Sequence, residues 1–320
     1  MADFDVFNGD ADGICALLQL RFAEPRDAQL VTGAKREIDL LNRVYPEADD
    51  RITVLDISLD KNREGLNRAL DVGAQVFYVD HHFAGSVPAS AGLKSLINEA
   101  PDVCTSVLIT HLLGVACREG AIVGTYGDNL SHTAAGLIKN LRLSTDKAKL
   151  LENLGIYINY NGYGASLEEL HFAPDQLYGL LSRYRSPFDF ISDNAENFQK
   201  LEQGYHQDIE AAQSTVALVA SDAIAAFVLP DAPWARRASG VYSNQLANNN
   251  PNRGHAVLTV KPNGNYLVSV RAPLNNKKGA AALCMQFPTG GGREAAAGIN
   301  DLPAHMLAKF LDALKKAFNV

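Results

Sequence analysis

Over its first 130 residues this chain alternates short Val- and Ile-rich runs with longer helical patterns, and that alternation constrains its fold more than any other feature. The runs "DFDVF", "AQLVTGA", "RITVLD", "QVFYVDHH" and "GAIVGTYGD" read as strands. Between them, "GICALLQLRFA", "REIDLLNRVY", "KNREGLNRAL" and "DVCTSVLITHLLGVA" read as helices. Strands that alternate regularly with helices predict a parallel sheet, because parallel neighbours need long crossover connections. The expected fold class is therefore α/β.

From about 132 to 225 the pattern is mostly helical, in "HTAAGLIKNLRL", "DKAKLLENLGIYI" and "NFQKLEQGYHQDIEAAQSTVALV". After "LPDAPWARRASG" the β pattern resumes in "HAVLTVKPNGNYLVSVRAP", where an Asn-Gly pair between two alternating runs marks a hairpin. A Gly-rich turn and the amphipathic "DLPAHMLAKFLDALKKAF" follow, and "LANNNPNRG" reads as a polar loop. A chain of 320 residues, 47% hydrophobic, has the length for two domains.

The ends of the expected strands carry the chemistry. Asp10 and Asp12 follow the first, Asp56 ends "RITVLD", Asp80, His81 and His82 end "QVFYVDHH", and Asp128 follows "GAIVGTYG". In open α/β sheets ligands bind at the carboxyl ends of the strands. A single Asp there is a common helix cap. Four acidic strand ends and a double histidine exceed what capping explains, and packed together without counter-charge they would repel. A divalent cation cluster resolves that repulsion. Oxygen-rich ligation with one imidazole favours Mn²⁺, Mg²⁺ or Co²⁺ over structural zinc, and the number of donors suits two ions sharing a bridging carboxylate.

"NGDADG", Asp56 of "VLDIS", "VDHH" and "GTYGD" resemble, in order, the four motifs of the DHH phosphoesterase superfamily, the last being most similar to its single-strand exonuclease branch. "PTGGGREAAAG" (288–298) and the preceding "YLVSVRAP" resemble the DHH-associated substrate-binding domain. The resemblance implies a Rossmann-like, parallel-sheet metal-binding domain over 1–195, a helical linker over 196–234 and a smaller mixed-sheet α/β domain over 235–320. It implies that Asp10 holds one metal, Asp12 the other, and Asp56 bridges them, with His81 and Asp128 completing the second site. Asp80 would orient an imidazole and His82 would touch the substrate phosphate. Two divalent cations are expected, Mn²⁺ foremost, with Co²⁺ or Mg²⁺ as alternatives. Asn8 departs from the pattern, since the family usually has His or Asp there; it reads equally as a weak ligand of the first metal or as a turn residue.

Gly290, Gly291 and Gly292 allow close backbone approach to an anion, ahead of an expected helix in "REAAAG", and are flanked by Arg271 and Arg293. Arg293 stands where the family generally has His, adding permanent charge and a bidentate fork for phosphate. These five residues are the expected substrate grip, with Lys277 and Lys278 more in keeping with a solvated loop. "NYNGYG" (159–164) reads as cleft lining or as a polar turn, and Lys35 and Arg36 as an exposed helix start. His132 reads as a helix start or a support for the fourth motif. His111, His171, His206 and His305 read as packing or surface residues, and Trp234 as packing the linker.

A net charge of −7 argues against a dedicated binder of long nucleic acid. Cys15, Cys104, Cys117 and Cys284 lack metal or disulfide spacing and read as reduced core thiols. With a strand beginning at Asp3 and no apolar run of membrane-spanning length, a cytoplasmic protein without membrane contact, monomeric or homodimeric, is expected. The expected activity is metal-dependent hydrolysis of small phosphate-rich substrates: short oligonucleotides, dinucleotides, phosphoadenosine nucleotides or short-chain polyphosphate. The alternatives are an exopolyphosphatase proper and a non-catalytic nucleotide-binding protein with a degraded first metal site.

Overall fold

The computed structural model describes residues 1–114 and 118–318, so Cys117 lies outside the described residues. The chain divides into two compact units, 1–202 and 203–320.

The first unit begins β1 (Asp3–Phe7), α1 (Ala11–Ala23), β2 (Gln29–Val31), β3 (Arg51–Leu55), α2 (Arg63–Asp71), β4 (Gln75–Asp80) and β5 (Leu93–Ile97). It continues with α3 (Thr105–Leu113), α4 (Arg118–Gly127), α5 (Ser131–Leu141), α6 (Thr145–Asn161), α7 (Pro174–Leu181), α8 (Pro187–Asp193) and the start of α9 (Ala195–Gln213). The five strands form a wholly parallel sheet in the order β2-β1-β3-β4-β5. Period-two alternation sends Val6, Val54, Val76 and Tyr78 into one core, with Leu40, Leu41 and Leu66. On the strands' other set of alternate positions, Asp5 accepts from the Arg21 guanidinium, Nε at 2.8 Å and Nη2 at 2.5 Å, and Thr53 Oγ1 accepts at 2.9 Å. This buried ion pair fixes α1 on the sheet; removing one partner would leave an uncompensated charge, at a cost of about 3–5 kcal/mol.

The second unit holds the end of α9, then β6 (Ala217–Ala220), β7 (Ile224–Leu229), α10 (Pro233–Asn249), β8 (Gly254–Val260) and β9 (Tyr266–Arg271). It ends with α11 (Ala280–Cys284), β10 (Gly290–Gly292), β11 (Ala296–Leu302) and α12 (Leu307–Phe318). Its mixed sheet runs β10-β11-β9-β8-β7-β6, and only the β7–β8 pairing is parallel. The β8–β9 hairpin turns at the expected Asn-Gly, with Gly264 at φ +79°. Cys15, Cys104 and Cys284 are buried free thiols.

Several expected elements differ. "GAIVGTYG" lies in helix α4, with Asp128 in the turn that follows, and not in a strand. Its glycines serve helix packing, since a Cβ on Gly127 would stand 2.4 Å from the Ala11 Cβ. "REIDLLNRVY" forms only a 3-10 turn at Leu40–Arg43, where the Asn62 side chain takes over backbone pairing at Leu41 and Ile38. Residues 217–229, read as part of a helical linker, form β6 and β7, because α9 stops at Gln213 and β-branched, alternating sequence follows. α10 runs to Asn249, taking in Trp234 and part of the expected polar loop. "REAAAG" leads into strand β11, so the three glycines form a strand and do not precede a helix.

Candidate metal centre

With strand order β2-β1-β3, the chain leaves β1 toward one side and β3 toward the other, and the crevice at their carboxyl ends is the natural ligand position. "NGDADG" closes the β1 end. Asp10 caps α1, its Oδ1 accepting from the N–H groups of Asp12 and Gly13 at 3.0 Å each. Gly13 is required for this turn, because a Cβ there would lie 2.3 Å from the Asn8 carbonyl oxygen.

Asp12 is fully buried, and its carboxylate is clamped by the first amides of α3: Thr105 N–H at 2.7 Å and Ser106 N–H at 2.9 Å. A helix N-terminus favours the ionised carboxylate. α4 approaches closely here, since a Cβ on Gly124 would sit 3.0 Å from Asp12 Oδ1. Asp56 follows β3 with a left-handed backbone, φ +60°, and its Oδ1 accepts from Thr105 Oγ1 at 3.1 Å. A non-glycine residue held in that conformation is strain of the kind that collects at functional sites.

The double histidine has two different supports. His81 Nδ1 lies 2.8 Å from the Val103 carbonyl, which can only accept, so Nδ1 donates there and Nε2 is the nitrogen turned toward the acids. That Nε2 is 3.4 Å from Asp56 Oδ1 and 3.2 Å from Asp128 Oδ2. His82 donates its Nδ1–H to Asp80 Oδ1 at 2.7 Å. Asp80 thus orients His82, and a backbone carbonyl orients His81.

The electrostatics call for positive charge. Burial first, then the charges of Asp10, Asp12, Asp128 and Asp80, pushes Asp56 well above the ordinary carboxylate range. Burial and Asp128 likewise raise Asp12. Burial works to raise Asp10 as well, but the Lys35 ammonium overrides it and leaves Asp10 below its usual value. Two ligand sets converge, Asp12–His81–Asp128 and Asp56–His81–His82, with donor atoms in each set within 4.8 Å of one another. Converging carboxylates and an imidazole nitrogen fit a divalent ion held by Asp12, Asp56, His81 and Asp128.

The structure therefore brings Asn8, Asp10, Asp12, Asp56, Asp80, His81, His82 and Asp128 into one neighbourhood, although Asp128 arrives at the end of a helix and not of a strand. The other expected set lies in the second unit. Arg271 ends β9, its Nε donating to Asn244 Oδ1 at 2.7 Å. Gly290, Gly291 and Gly292 pair with Ile299, Gly298 and Ala297, and exposed Arg293 occupies the turn between those strands.

Sequence reasoning missed Thr105, Ser106 and the contact that joins Lys35 to Asn159. Lys35 does not start an exposed helix: its Nζ donates to Asp10 Oδ2 at 2.5 Å and to Asn159 Oδ1 at 2.7 Å, and lies 3.6 Å from Asp128 Oδ1. "NYNGYG" divides its roles. Asn159 reaches the centre through Lys35, and Asn161 brackets the Phe172 backbone at 2.8 and 3.0 Å. His132 is exposed in the first turn of α5.

No family model matches the sequence, and no curated protein does. Solved structures do. A DHH-domain protein described as a member of a family of ribosomal proteins superposes with a TM-score of 0.65 at 13% identity, over 98% of this chain and 86% of its own. Exonuclease RecJ bound to manganese gives 0.64 at 15% identity, over 98% and 89%. The pGpG-specific phosphodiesterase PggH from Vibrio cholerae gives 0.57 at 14% identity, over 100% and 99%. This chain has the DHH fold. In that DHH fold the residues around Asp12 and His81 suit a divalent ion, whereas those around Asp10 already hold an ammonium.

Proposed function

We propose that this chain is a metal-dependent phosphoesterase that hydrolyses phosphodiester, terminal phosphate or phosphoanhydride bonds of small phosphate-rich substrates. One observation supports this above the others: His81 Nε2, with Nδ1 donating to a backbone carbonyl, faces Asp56 and Asp128 at 3.4 and 3.2 Å within a buried acidic crevice. A bound cation would offset the repulsion among these buried acids. The fold likeness to an exonuclease and to a dinucleotide phosphodiesterase supports the same reaction class.

In this reading Asp12, Asp56, His81 and Asp128 hold a divalent ion, Mn²⁺ foremost. A divalent ion there supplies Lewis acidity, which stabilises charge on phosphoryl oxygens and activates water. His82, whose side chain is 35% exposed and anchored by Asp80, is the ring placed to meet the substrate phosphate. Within the second unit, Arg271 and Arg293 are the guanidinium groups proposed to bind phosphate. Charge-assisted guanidinium contacts favour substrates rich in phosphate.

Phosphate or nucleotide release should be measured with Mn²⁺ or Co²⁺ on short oligonucleotides, linear dinucleotides, 3′-phosphoadenosine nucleotides and short-chain polyphosphate. Turnover of at least one class is expected. Binding without turnover across the panel would favour a non-catalytic nucleotide-binding protein.

A further inference from the structure

Lys35 lies in the loop after β2, and that loop is fastened on two sides. The Lys35 N–H donates to the Gly162 carbonyl at 2.8 Å. On the other side Gly9 admits the Gly33 carbonyl, which a Cβ at Gly9 would meet at 2.1 Å. The loop is thereby pressed against "NGDADG" and the end of α6 together. The side chain is only 20% exposed, with Nζ 5.5 Å from the centre of the Tyr163 ring.

The ammonium donates to two acceptors, Asp10 Oδ2 at 2.5 Å and Asn159 Oδ1 at 2.7 Å, and Asp128 Oδ1 faces it as an ion-pair partner at 3.6 Å. An ammonium has three donors, and two of them are committed here. Asn159 is 2% exposed, a buried amide oxygen placed to receive this one cation. Asp10 is the carboxylate expected to hold the first of two metal ions, and Asp128 is one of those expected at the second. The remaining expected ligand, Asn8, is a buried neutral amide whose Oδ1 has no hydrogen-bond partner among the described residues. A neutral oxygen lends a dipole to either kind of cation, without the preference for a transition-metal ion that imidazole would bring.

We propose that Lys35 is the built-in first cation of this centre: one divalent ion binds among Asp12, Asp56, His81 and Asp128, and the Lys35 ammonium, held by Asp10, Asp128 and Asn159, fills the place of a second ion. This rests on reading the site as a metal-dependent phosphoesterase centre. It replaces the expected pair of ions with one ion and one fixed monovalent charge. A phosphate entering the crevice then meets a divalent ion on one side and an ammonium, which also donates hydrogen bonds, on the other.

The test is a count of bound Mn²⁺ on the full chain, stripped with chelator and dialysed against Mn²⁺, with the electron paramagnetic resonance spectrum recorded alongside. The wild type should bind one ion per chain and show the spectrum of an isolated ion. Asn8→His should leave that count unchanged while Lys35 is present. Lys35→Met combined with Asn8→His should take up a second ion and show an exchange-coupled pair. Two coupled ions in the wild type would overturn the inference, as would a second ion in Asn8→His alone or no second ion in the folded double variant. If the double variant does not fold, the wild-type count decides. Two ions with substrate hydrolysis intact would defeat this inference alone, whereas no bound ion and no hydrolysis would defeat the phosphoesterase reading and this inference with it.

Discussion

His82 donates its Nδ1–H to Oδ1 of Asp80 across 2.7 Å, and the two rings of His81 and His82 stand edge to face with centroids 4.4 Å apart. Asp80 is fully buried and its Oδ2 has no hydrogen-bond partner among the described residues. A carboxylate kept there at such cost serves to fix the His82 ring. Asp80→Asn should lower turnover roughly 10–100-fold while bound Mn²⁺ stays constant. Metal analysis beside steady-state kinetics checks this, and loss of the ion would place Asp80 among the ligands instead.

Asp56→Asn should abolish hydrolysis and leave the fold intact. Asn tolerates the left-handed conformation that Asp56 adopts at φ +60°. Burial and four neighbouring acids oppose its charge, so the metal-free variant should melt higher than the metal-free wild type. Calorimetry in chelator and an activity assay in Mn²⁺ test the two halves. A variant retaining more than about a tenth of wild-type turnover would remove Asp56 from the centre.

How much of this could be read from the sequence depended on how local the cause was. Asp10, Asp12, Asp56 and Asp80 follow their strands within a few residues, so strand periodicity placed them at one sheet edge. The β8–β9 hairpin was legible for the same reason, from Asn-Gly between alternating runs. Asp128 was placed at the centre on a mistaken strand, because "AIVGTY" has β propensity and the pressure toward helix comes from α1, packed against glycines of α4. β11 was hidden by the helical propensity of its Ala-rich start, which pairing with β9 overrides. Lys35 and Asn159 are 124 residues apart, and no local pattern marks their contact.

The second unit has its own pH dependence. His255 on β8 is 1% exposed, and neither ring nitrogen has a hydrogen-bond partner among the described residues. Burial, then the positive charge of Arg253, lowers its pKa from 6.5 to about 4. Below pH 6.5 the unfolded chain takes up a proton that the folded one refuses, so stability is full above that value and is lost as pH falls toward 4. The loss at the low end should be roughly 2–3 kcal/mol. Melting curves between these limits should show it, and His255→Phe, which removes the titrating group, should flatten it. An unchanged slope in His255→Phe would assign the dependence to other groups.

Arg293→Ala should weaken substrate binding more than it slows chemistry, because Arg293 is an exposed turn residue and not one of the proposed metal ligands. A charge-assisted phosphate contact contributes about 1.5–3 kcal/mol, so KM should rise roughly ten- to hundredfold. Arg293→His should penalise polyphosphate more than dinucleotide. Equal effects on both substrates would show that Arg293 does not select for phosphate.

The acids and imidazoles at the sheet edge, read as a metal-dependent hydrolytic centre, are tested most directly by adding Mn²⁺ back to chelator-stripped wild type and Asp12→Asn and following hydrolysis of a turned-over substrate. Asp12 is clamped by two α3 amides at 2.7 and 2.9 Å, contacts that an Asn side chain preserves only in part and without charge. The stripped wild type should show no hydrolysis and recover fully with Mn²⁺, whereas a folded Asp12→Asn variant should not recover. Hydrolysis that is indifferent to Mn²⁺, or that Asp12→Asn recovers in full, would contradict a metal-dependent centre.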